Sequence, residues 1–386
     1  MGIDIERVRD LTPGCAETAH LNNAGASLPP QPVMDAVLGH LELEEMTGGY
    51  EAQEQAREAA ENFYTAVARL VGARPEEIAY VENATRAWDM AFYSVPLAKG
   101  DRILTTTSEY SSNALAYQQV AQRTGARVQV VPDDEHGQID VAALADELAS
   151  GDVRLVSINH VPTQNGLVNP AEEVGRLCRK AGALFLLDAC QSVGQLDVDV
   201  TRIGCDLLSA TGRKFLRGPR GTGFLYARRE VVESLEPPFV DLQAATWHAP
   251  DRYELRPDAR RFETWERFVA GQIGLGVAAD YAHDLGLPAI EERITGLATT
   301  LRTALAERPG VTVLDRGERR SGIVTFTVEG RDATELKLAL RERQINVSVT
   351  QPRDHGYDTT APTAAVRASV HYYNTEEELG RLLDAL

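Results

Sequence analysis

The chain has 386 residues, 43% of them hydrophobic and 25% charged, a balance that fits a folded globular protein of about two domains and excludes a disordered one. With 57 acidic against 39 basic residues the net charge is −18, so the surface repels a phosphate backbone and no nucleic-acid partner is expected. No apolar run approaches the ~20 residues needed to span a bilayer, and the first residues carry Asp4, Glu6 and Asp10 instead of a basic start and an apolar stretch; a cytoplasmic protein without a membrane partner is expected.

Taken in chain order, Glu51–Gly72 places Phe63, Val67, Leu70 and Val71 at helical spacing. Strands are predicted at Glu77–Val81, Asp101–Thr106, Arg127–Val131, Arg154–His160, Ala183–Asp188, Leu207–Ala210 and Gly223–Ala227, and helices at Thr85–Val95, Asn113–Thr124 and Ala171–Ala181. Such alternation implies a mainly parallel sheet covered by helices on both faces, with ligands beyond the carboxyl ends of its strands. After Leu275 the texture changes. A helix over Ala289–Arg308, a strand at Gly322–Thr327, a helix at Ala333–Glu342, strands at Ile345–Val349 and Val366–Val370 and an acidic helix from Thr375 make an α+β block. The predicted division is therefore a large domain over residues 1–270 and a smaller one over 271–386.

Cys15, Cys178, Cys190 and Cys205 form no CxxC pair, and the last three lie in or near apolar segments, so buried reduced thiols are expected and no metal site. The chain has only four lysines: Lys99, Lys180, Lys214 and Lys337. Chemistry that requires an amine has few places to reside. Lys99 occupies a turn, Lys180 a helix C-terminus that suits a cation, and Lys337 an amphipathic helix. Lys214 follows an apolar strand and precedes the glycine-rich Gly218-Pro-Arg-Gly-Thr-Gly223. By position alone, a surface lysine on a loop reads as well.

Leu184–Asp188 is an apolar strand that ends in a carboxylate, with Gln191 three positions on. A buried acid needs a cation, a protonated nitrogen or a helix to cap, and all three readings stay open for Asp188. Asn83-Ala84-Thr85 lies between a strand and a helix, where free N–H groups bind phosphate, although an ordinary N-cap at Asn83 is the plainer reading of that segment alone. The three cues share a chemistry. An amine, an acid for a pyridinium nitrogen and a helix N-terminus for a phosphate are the three handles of pyridoxal phosphate.

With those residues in place, the chain resembles the class V aminotransferase family of fold-type I pyridoxal-phosphate enzymes, which includes the cysteine desulfurases. The resemblance runs nearly end to end: His20-Leu-Asn-Asn-Ala-Gly-Ala-Ser27, Asn83-Ala84-Thr85, Ser108-Glu109-Tyr110, Leu187-Asp188-Ala-Cys-Gln191, Ser209-Ala-Thr-Gly-Arg-Lys214, Arg261-Phe-Glu263, Val366-Arg367-Ala-Ser369 and Tyr373-Asn-Thr375. It implies an α/β fold-type I enzyme, a large domain with a mainly parallel seven-stranded sheet and a small C-terminal α+β domain. It implies that Lys214 is the covalent anchor of pyridoxal 5'-phosphate and moves the substrate Cα proton, and that Asp188 pairs with the ring nitrogen. Gln191 and Thr163 are implied at the ring hydroxyl, Ala84, Thr85, Thr211 and Arg213 at the phosphate, and Tyr110 on the ring face. Arg367 is implied as the fork for the substrate carboxylate, with Asn23 as a further substrate contact. Family members are homodimers, so Trp265 or Glu266 is placed near the neighbouring subunit's cofactor, a plain surface role being equally open.

The departures carry weight too. Desulfurases place a cysteine on a loop shortly before the carboxylate-binding arginine. Here Thr350–Thr360 contains none, and the nearest cysteine in sequence is Cys205. Arg213 and Tyr110 stand where those enzymes carry histidine. Within the family the chain resembles the actinobacterial C–S lyases of small-molecule thiol and antibiotic biosynthesis, including ergothioneine sulfoxide lyases and lincosamide-pathway enzymes. The expected reaction is β-elimination from an S-substituted cysteine, which releases a thiol, pyruvate and ammonia. Decarboxylation-dependent oxidative deamination, cysteine desulfuration, aminotransfer and epimerisation are alternatives on the same scaffold, and a member that has lost catalysis and serves as a binding protein is the non-enzymatic one.

Overall fold

The computed structural model describes residues 2–358 and 364–386. Helices α1 (Gln31–Thr47) and α2 (Arg57–Val71) precede the main sheet. The helix predicted over Glu51–Gly72 is two pieces, because the chain leaves helical geometry at Ala56 between Gly49–Gln55 and α2. Strand and helix then alternate: β1 (Ile78–Val81), α3 (Ala84–Tyr93), β2 (Arg102–Thr106), α4 (Ser111–Thr124), β3 (Arg127–Val131), α5 (Val141–Ala149), β4 (Val153–Asn159), α6 (Ala171–Ala181), β5 (Leu184–Asp188), β6 (Leu207–Thr211) and β7 (Gly223–Ala227). The seven strands form one sheet in the order β1-β7-β6-β5-β4-β2-β3, with β7 antiparallel to both neighbours and the other pairs parallel.

The apolar strand runs follow from this topology. Side chains alternate faces along a strand, and both faces here are covered. Leu104, Val156, Phe185, Leu187 and Leu208 belong to the core on one face; Ile103, Leu155, Leu186, Leu207 and Leu225 belong to the core on the other. Helices α4 and α6 end at Gly125 and Gly182, whose φ values of 80° and 74° stop the helix and let the chain re-enter the sheet within two residues.

Beyond β7, an exposed hairpin pairs Ala245–Ala249 with Arg252–Leu255. Then follow α7 (Val269–Leu285), α8 (Leu287–Ala306), β8 (Val311–Val313), β9 (Ile323–Val328), α9 (Ala333–Glu342), β10 (Ser348–Thr350), β11 (Ala365–Ser369) and α10 (Glu376–Asp384). The second sheet is antiparallel in the order β8-β9-β11-β10. The expected division between residues 270 and 271 falls in the first turn of α7, which packs on α1 and α2. The predicted strand Ile345–Val349 splits between two partners. Ile345–Asn346 pairs with Ala19–His20, and β10 pairs with β11. The N-terminal segment thus lies on the C-terminal sheet, with a further bridge from Asn22 to Ser369. Among the described residues no helix is long and apolar enough to cross a membrane.

Candidate active site

Three parallel strands bring their last residues to one edge of the main sheet: Asn159 on β4, Asp188 on β5 and Thr211 on β6. With the starts of α3 and α4 and the loop after β6 they enclose a cavity of about 450 Å³. Its wall includes Ala84, Thr85, Tyr110, Thr163, Asp188, Gln191, Thr211, Arg213 and Lys214. The residues assigned to the cofactor from sequence therefore share one cavity.

Lys214 is placed by a tight loop. The Gly212 N–H donates to Thr222 O at 3.0 Å, the Gly218 N–H to Gly212 O at 2.7 Å and the Arg217 N–H to Lys214 O at 3.0 Å. Burial holds the Lys214 amine below the ordinary lysine value; Cys190 and Asp188 oppose this, and Arg213 and Arg367 reinforce it. An amine so depressed is uncharged more often and can attack a carbonyl or take a proton. Asp188 is buried. Burial pushes its carboxyl up, against the Cys190 N–H on Oδ1 at 3.0 Å, the Asn113 amide on Oδ2 at 3.1 Å and the nearby Lys214 charge.

Among the described residues, three buried polar atoms of the side chains in this wall have no hydrogen-bond partner: Trp88 Nε1, Asn159 Oδ1 and Gln191 Oε1. Such orphans are rare in a native fold, and their presence in one cavity wall fits a polar group bound there. The anion end is also built. The Asn83 side chain caps the Arg86 N–H at 2.9 Å, and the N–H groups of Ala84 and Thr85, in the first turn of α3, have no intrahelical acceptor. Gly223 passes so close that a Cβ there would stand 2.8 Å from Asn83 C and 2.7 Å from Ala210 O. Thr211, paired with Gly223 across the ladder, and Arg213 also line the cavity. Amine, acid, orphaned amides and helix N-terminus together fit pyridoxal phosphate, the cofactor implied by the sequence.

Arg367 reaches the cavity from β11 through Thr163. Its Nη1 donates to Thr163 O at 3.1 Å and also bonds Thr163 Oγ1, and the same hydroxyl accepts from Gln191 Nε2 at 3.1 Å. Burial, above all, pushes the Arg367 guanidinium down to about 10, with Arg213 adding to the effect against Asp354 and Tyr110. Asn23, expected from sequence as a substrate contact, lies in the N-terminal segment against β11. Its amide is occupied within the protein: Nδ2 donates to Ser369 O at 2.7 Å, and Oδ1 accepts from Tyr373 Oη at 2.5 Å. It is a clamp between the N-terminal segment and the C-terminal sheet. Trp265 and Glu266 line a separate surface cavity with Tyr50, away from Lys214. Of the loop Thr350–Thr360, Thr359 and Thr360 lie outside the described residues. The part before them rests on the start of α4, where Ser111 Oγ donates to Arg353 O at 3.0 Å and accepts from the Gly356 N–H at 3.2 Å.

Two features escaped the sequence reading. Cys190 is not merely a core thiol, because it lines the cavity; burial, the largest influence, raises its thiol pKa, and Lys214 beside it pulls the other way. The spatially relevant cysteine is thus Cys190, not Cys205, which is fully buried. Behind Asp188 stands a second buried acid, Glu109. Glu109 Oε1 accepts from the Tyr110 N–H at 2.7 Å and Asn113 Nδ2 at 3.0 Å, and Oε2 from Thr105 Oγ1 at 2.7 Å and Tyr117 Oη at 2.8 Å. The four-residue spacing of Glu109, Asn113 and Tyr117, the last two on one face of α4 and the first just ahead of it, was the available signal.

The sequence pattern of the aminotransferase class-V family matches residues 19–382. A probable cysteine desulfurase of Synechocystis sp. is 32% identical over 381 residues, 95% of this chain and 90% of that protein. The apo structure of a cysteine desulfurase from Thermococcus onnurineus NA1 matches with a TM-score of 0.91 at 28% identity, over 100% of this chain and 97% of that one. A cystine C–S lyase in complex with its reaction product, cysteine persulfide, matches with a TM-score of 0.87 at 25% identity, over 97% of this chain and 98% of that one.

Proposed function

The chain belongs to the class V aminotransferase family and is a pyridoxal-phosphate enzyme of fold type I, and from that premise we propose that it breaks the C–S bond of an S-substituted cysteine by β-elimination. The Cα proton and the β-sulfur leave, the sulfur departs as a thiol, and uptake of water turns the three-carbon remainder into pyruvate and ammonia. One observation carries this reading: the segment ahead of Arg367, where the resemblance expects an acceptor cysteine, has none.

The bound cofactor supplies a carbonyl for the substrate amine and an electron sink for the pair left at Cα. Lys214, its amine held low by burial, serves as covalent anchor and as base for the Cα proton. Asp188 holds the ring nitrogen in its protonated form. Arg367 presents a planar fork to the substrate carboxylate, and its shared hydroxyl at Thr163 ties that fork to Gln191. Ala84, Thr85, Thr211 and Arg213 seat the phosphate, and Tyr110, at the mouth of the cavity, covers one ring face. A homodimer belongs to the same reading, supported by the exposed Leu242, Trp247, Tyr253 and Trp265.

A second reading, cysteine desulfuration, has the names of the curated relatives in its favour and one residue that could serve it, Cys190 in the cavity wall. A panel of S-substituted cysteines and free cysteine separates the two. Pyruvate, ammonia and thiol, with turnover retained in Cys190→Ala, support elimination. Alanine from free cysteine, abolished in Cys190→Ala with the cofactor spectrum intact, supports desulfuration instead. An aldehyde with carbon dioxide would move the reading to decarboxylative deamination.

A further inference from the structure

Asp188 is not the only acid at the floor of this cavity. Asn113 Nδ2 lies 3.1 Å from Asp188 Oδ2 and 3.0 Å from Glu109 Oε1, so its two amide hydrogens bridge two buried carboxyl groups, one to each. Turned over, the amide would present its oxygen to both acids, and Asp188 would lose a donor. Both acids thus favour the same orientation, and Glu109 reinforces the one in which Asn113 donates to Asp188. Glu109 is itself fully buried and held from both sides, by the Tyr110 N–H on one oxygen and the Thr105 and Tyr117 hydroxyls on the other. Among the described residues, the ionisable groups that act on it are Tyr117 on α4, Asp188 on β5 and Tyr357 in the segment before β11.

We propose that Glu109 is a positioning residue for the reaction: through the Asn113 amide it orients the Asp188 carboxylate, and its charge behind Asp188 strengthens the hold on a protonated ring nitrogen. This rests on the reading that Asp188 faces that nitrogen. The network can also carry a change of charge. Tyr117 Oη lies 2.8 Å from Glu109 Oε2 and 2.8 Å from Ser157 Oγ, so when Glu109 takes a proton the tyrosine hydroxyl can turn to Ser157 and accept from the acid. Burial, the largest influence, and the Asp188 charge push Glu109 up to about 7, against its hydrogen bonds from Thr105, Tyr117 and Tyr110. The added charge is therefore gained as pH rises through neutrality.

The test compares wild-type, Glu109→Gln, Asn113→Ala and Asp188→Asn holoenzymes by pH titration of the visible absorbance of the bound cofactor, alongside kcat and KM. Glutamine preserves the shape of the site, since Oε1 can keep the Tyr110 and Asn113 donors while Nε2 meets hydroxyls able to accept. The expected result for Glu109→Gln is a titration midpoint lowered by about half a pH unit or more, with kcat down about tenfold and KM within about twofold. Asn113→Ala, which keeps the charge and removes the bridge, should lower kcat in the same direction; if the glutamine variant does not fold, Glu109→Asp, which keeps the charge but falls short of the Asn113 amide, takes its place and should also lower kcat. Wild-type midpoint and kcat in both variants, with both quantities altered in Asp188→Asn, would leave Glu109 a packing residue and overturn the proposal. An unmoved midpoint in Asp188→Asn would instead remove the premise about Asp188, and the proposal with it.

Discussion

At Lys214 the proposed reaction asks for an amine that is both anchored and uncharged, and the fold provides this by burial, with Arg213 and Arg367 close enough to disfavour a third positive charge. Borohydride reduction of the holoenzyme followed by peptide mapping should place the pyridoxyl group on Lys214; label on Lys99, Lys180 or Lys337 would refute the assignment. Asp188→Asn should retain the cofactor but lose turnover. Removing a charge-assisted hydrogen bond costs on the order of 1.5–3 kcal/mol, about 10–150-fold in kcat when the loss is felt in the transition state. Wild-type turnover in that variant would show that the ring nitrogen does not depend on Asp188. Glu109 makes a separate prediction about stability. Its pKa rises from 4.5 to about 7 on folding, so between those values the folded chain keeps a proton that the unfolded chain has released. The resulting stabilisation is complete below the lower value and is lost as pH rises through the upper one, by about 3 kcal/mol in all. Urea titrations of the cofactor-free protein between about pH 5 and 7 should give a flatter pH dependence for Glu109→Gln than for wild type; equal slopes would contradict the shift.

Whether an element could be read from sequence depended on whether its pattern was local. The parallel strands are continuous apolar runs bounded by turns, and Asp188 and Lys214 could be read because a polar residue at the end of such a run has few places to go. Helix α7 was missed because its first half is buried all round and carries three glycines, Gly271, Gly274 and Gly276, so its charged residues, Asp280 and Asp284, come only in the second half. The hairpin at Ala245–Ala249 and Arg252–Leu255 was missed because it is mostly exposed and lacks an apolar stripe. Cys190 was misread because Leu184–Asp188 suggests a core continuing past the acid, whereas the chain turns there, with the Ala189 N–H bonded to Ser209 O at 2.9 Å, and carries Cys190 into the cavity wall. The bridge between Glu109 and Asp188 joins α4 to β5 and has no signature in either segment alone. At this scale the anion cradle is the sharpest target. β7 can pass under the start of α3 only because residue 223 lacks a side chain. Gly223→Ala should push the two apart, weaken cofactor retention on dialysis and destabilise the fold by about 1–3 kcal/mol. Unchanged retention would mean that the phosphate does not rest on the α3 N-terminus.

The N-terminal segment, the lysine loop and the C-terminal sheet are joined at one buried guanidinium, and this junction makes the site depend on the whole chain. Arg217 follows Lys214 by three residues and is 1% exposed. Its Nε donates to Leu28 O at 2.8 Å, Nη1 to Tyr372 Oη at 2.8 Å and Nη2 to Thr12 Oγ1 at 2.6 Å, while its Cζ lies 4.7 Å from the centre of the Tyr373 ring. No salt bridge to a carboxylate is found for it among the described residues; carbonyl and hydroxyl oxygens and aromatic faces hold the charge instead. The backbone pays a local cost, since Arg217 adopts φ of 60°, a conformation that L-residues seldom take. That geometry persists because three distant parts of the chain close around the side chain. Tyr373 in turn bonds Asn23, and Asn23 bonds Ser369 beside Arg367, so the contact chain runs from the lysine loop to the proposed carboxylate fork. Arg217→Met should therefore do two things. Leaving the Leu28 carbonyl, the Tyr372 and Thr12 hydroxyls without their donor should lower unfolding stability by about 3–5 kcal/mol, the range for breaking a buried charged network. In the fraction that still folds, KM for the amino-acid substrate should rise, because the N-terminal segment no longer fixes the C-terminal sheet against the cavity. Denaturant titration measures the first effect and steady-state kinetics on the folded holoenzyme the second. A variant of normal stability would show that the junction is not a structural keystone, and one that is destabilised with KM unchanged would confine Arg217 to holding the fold.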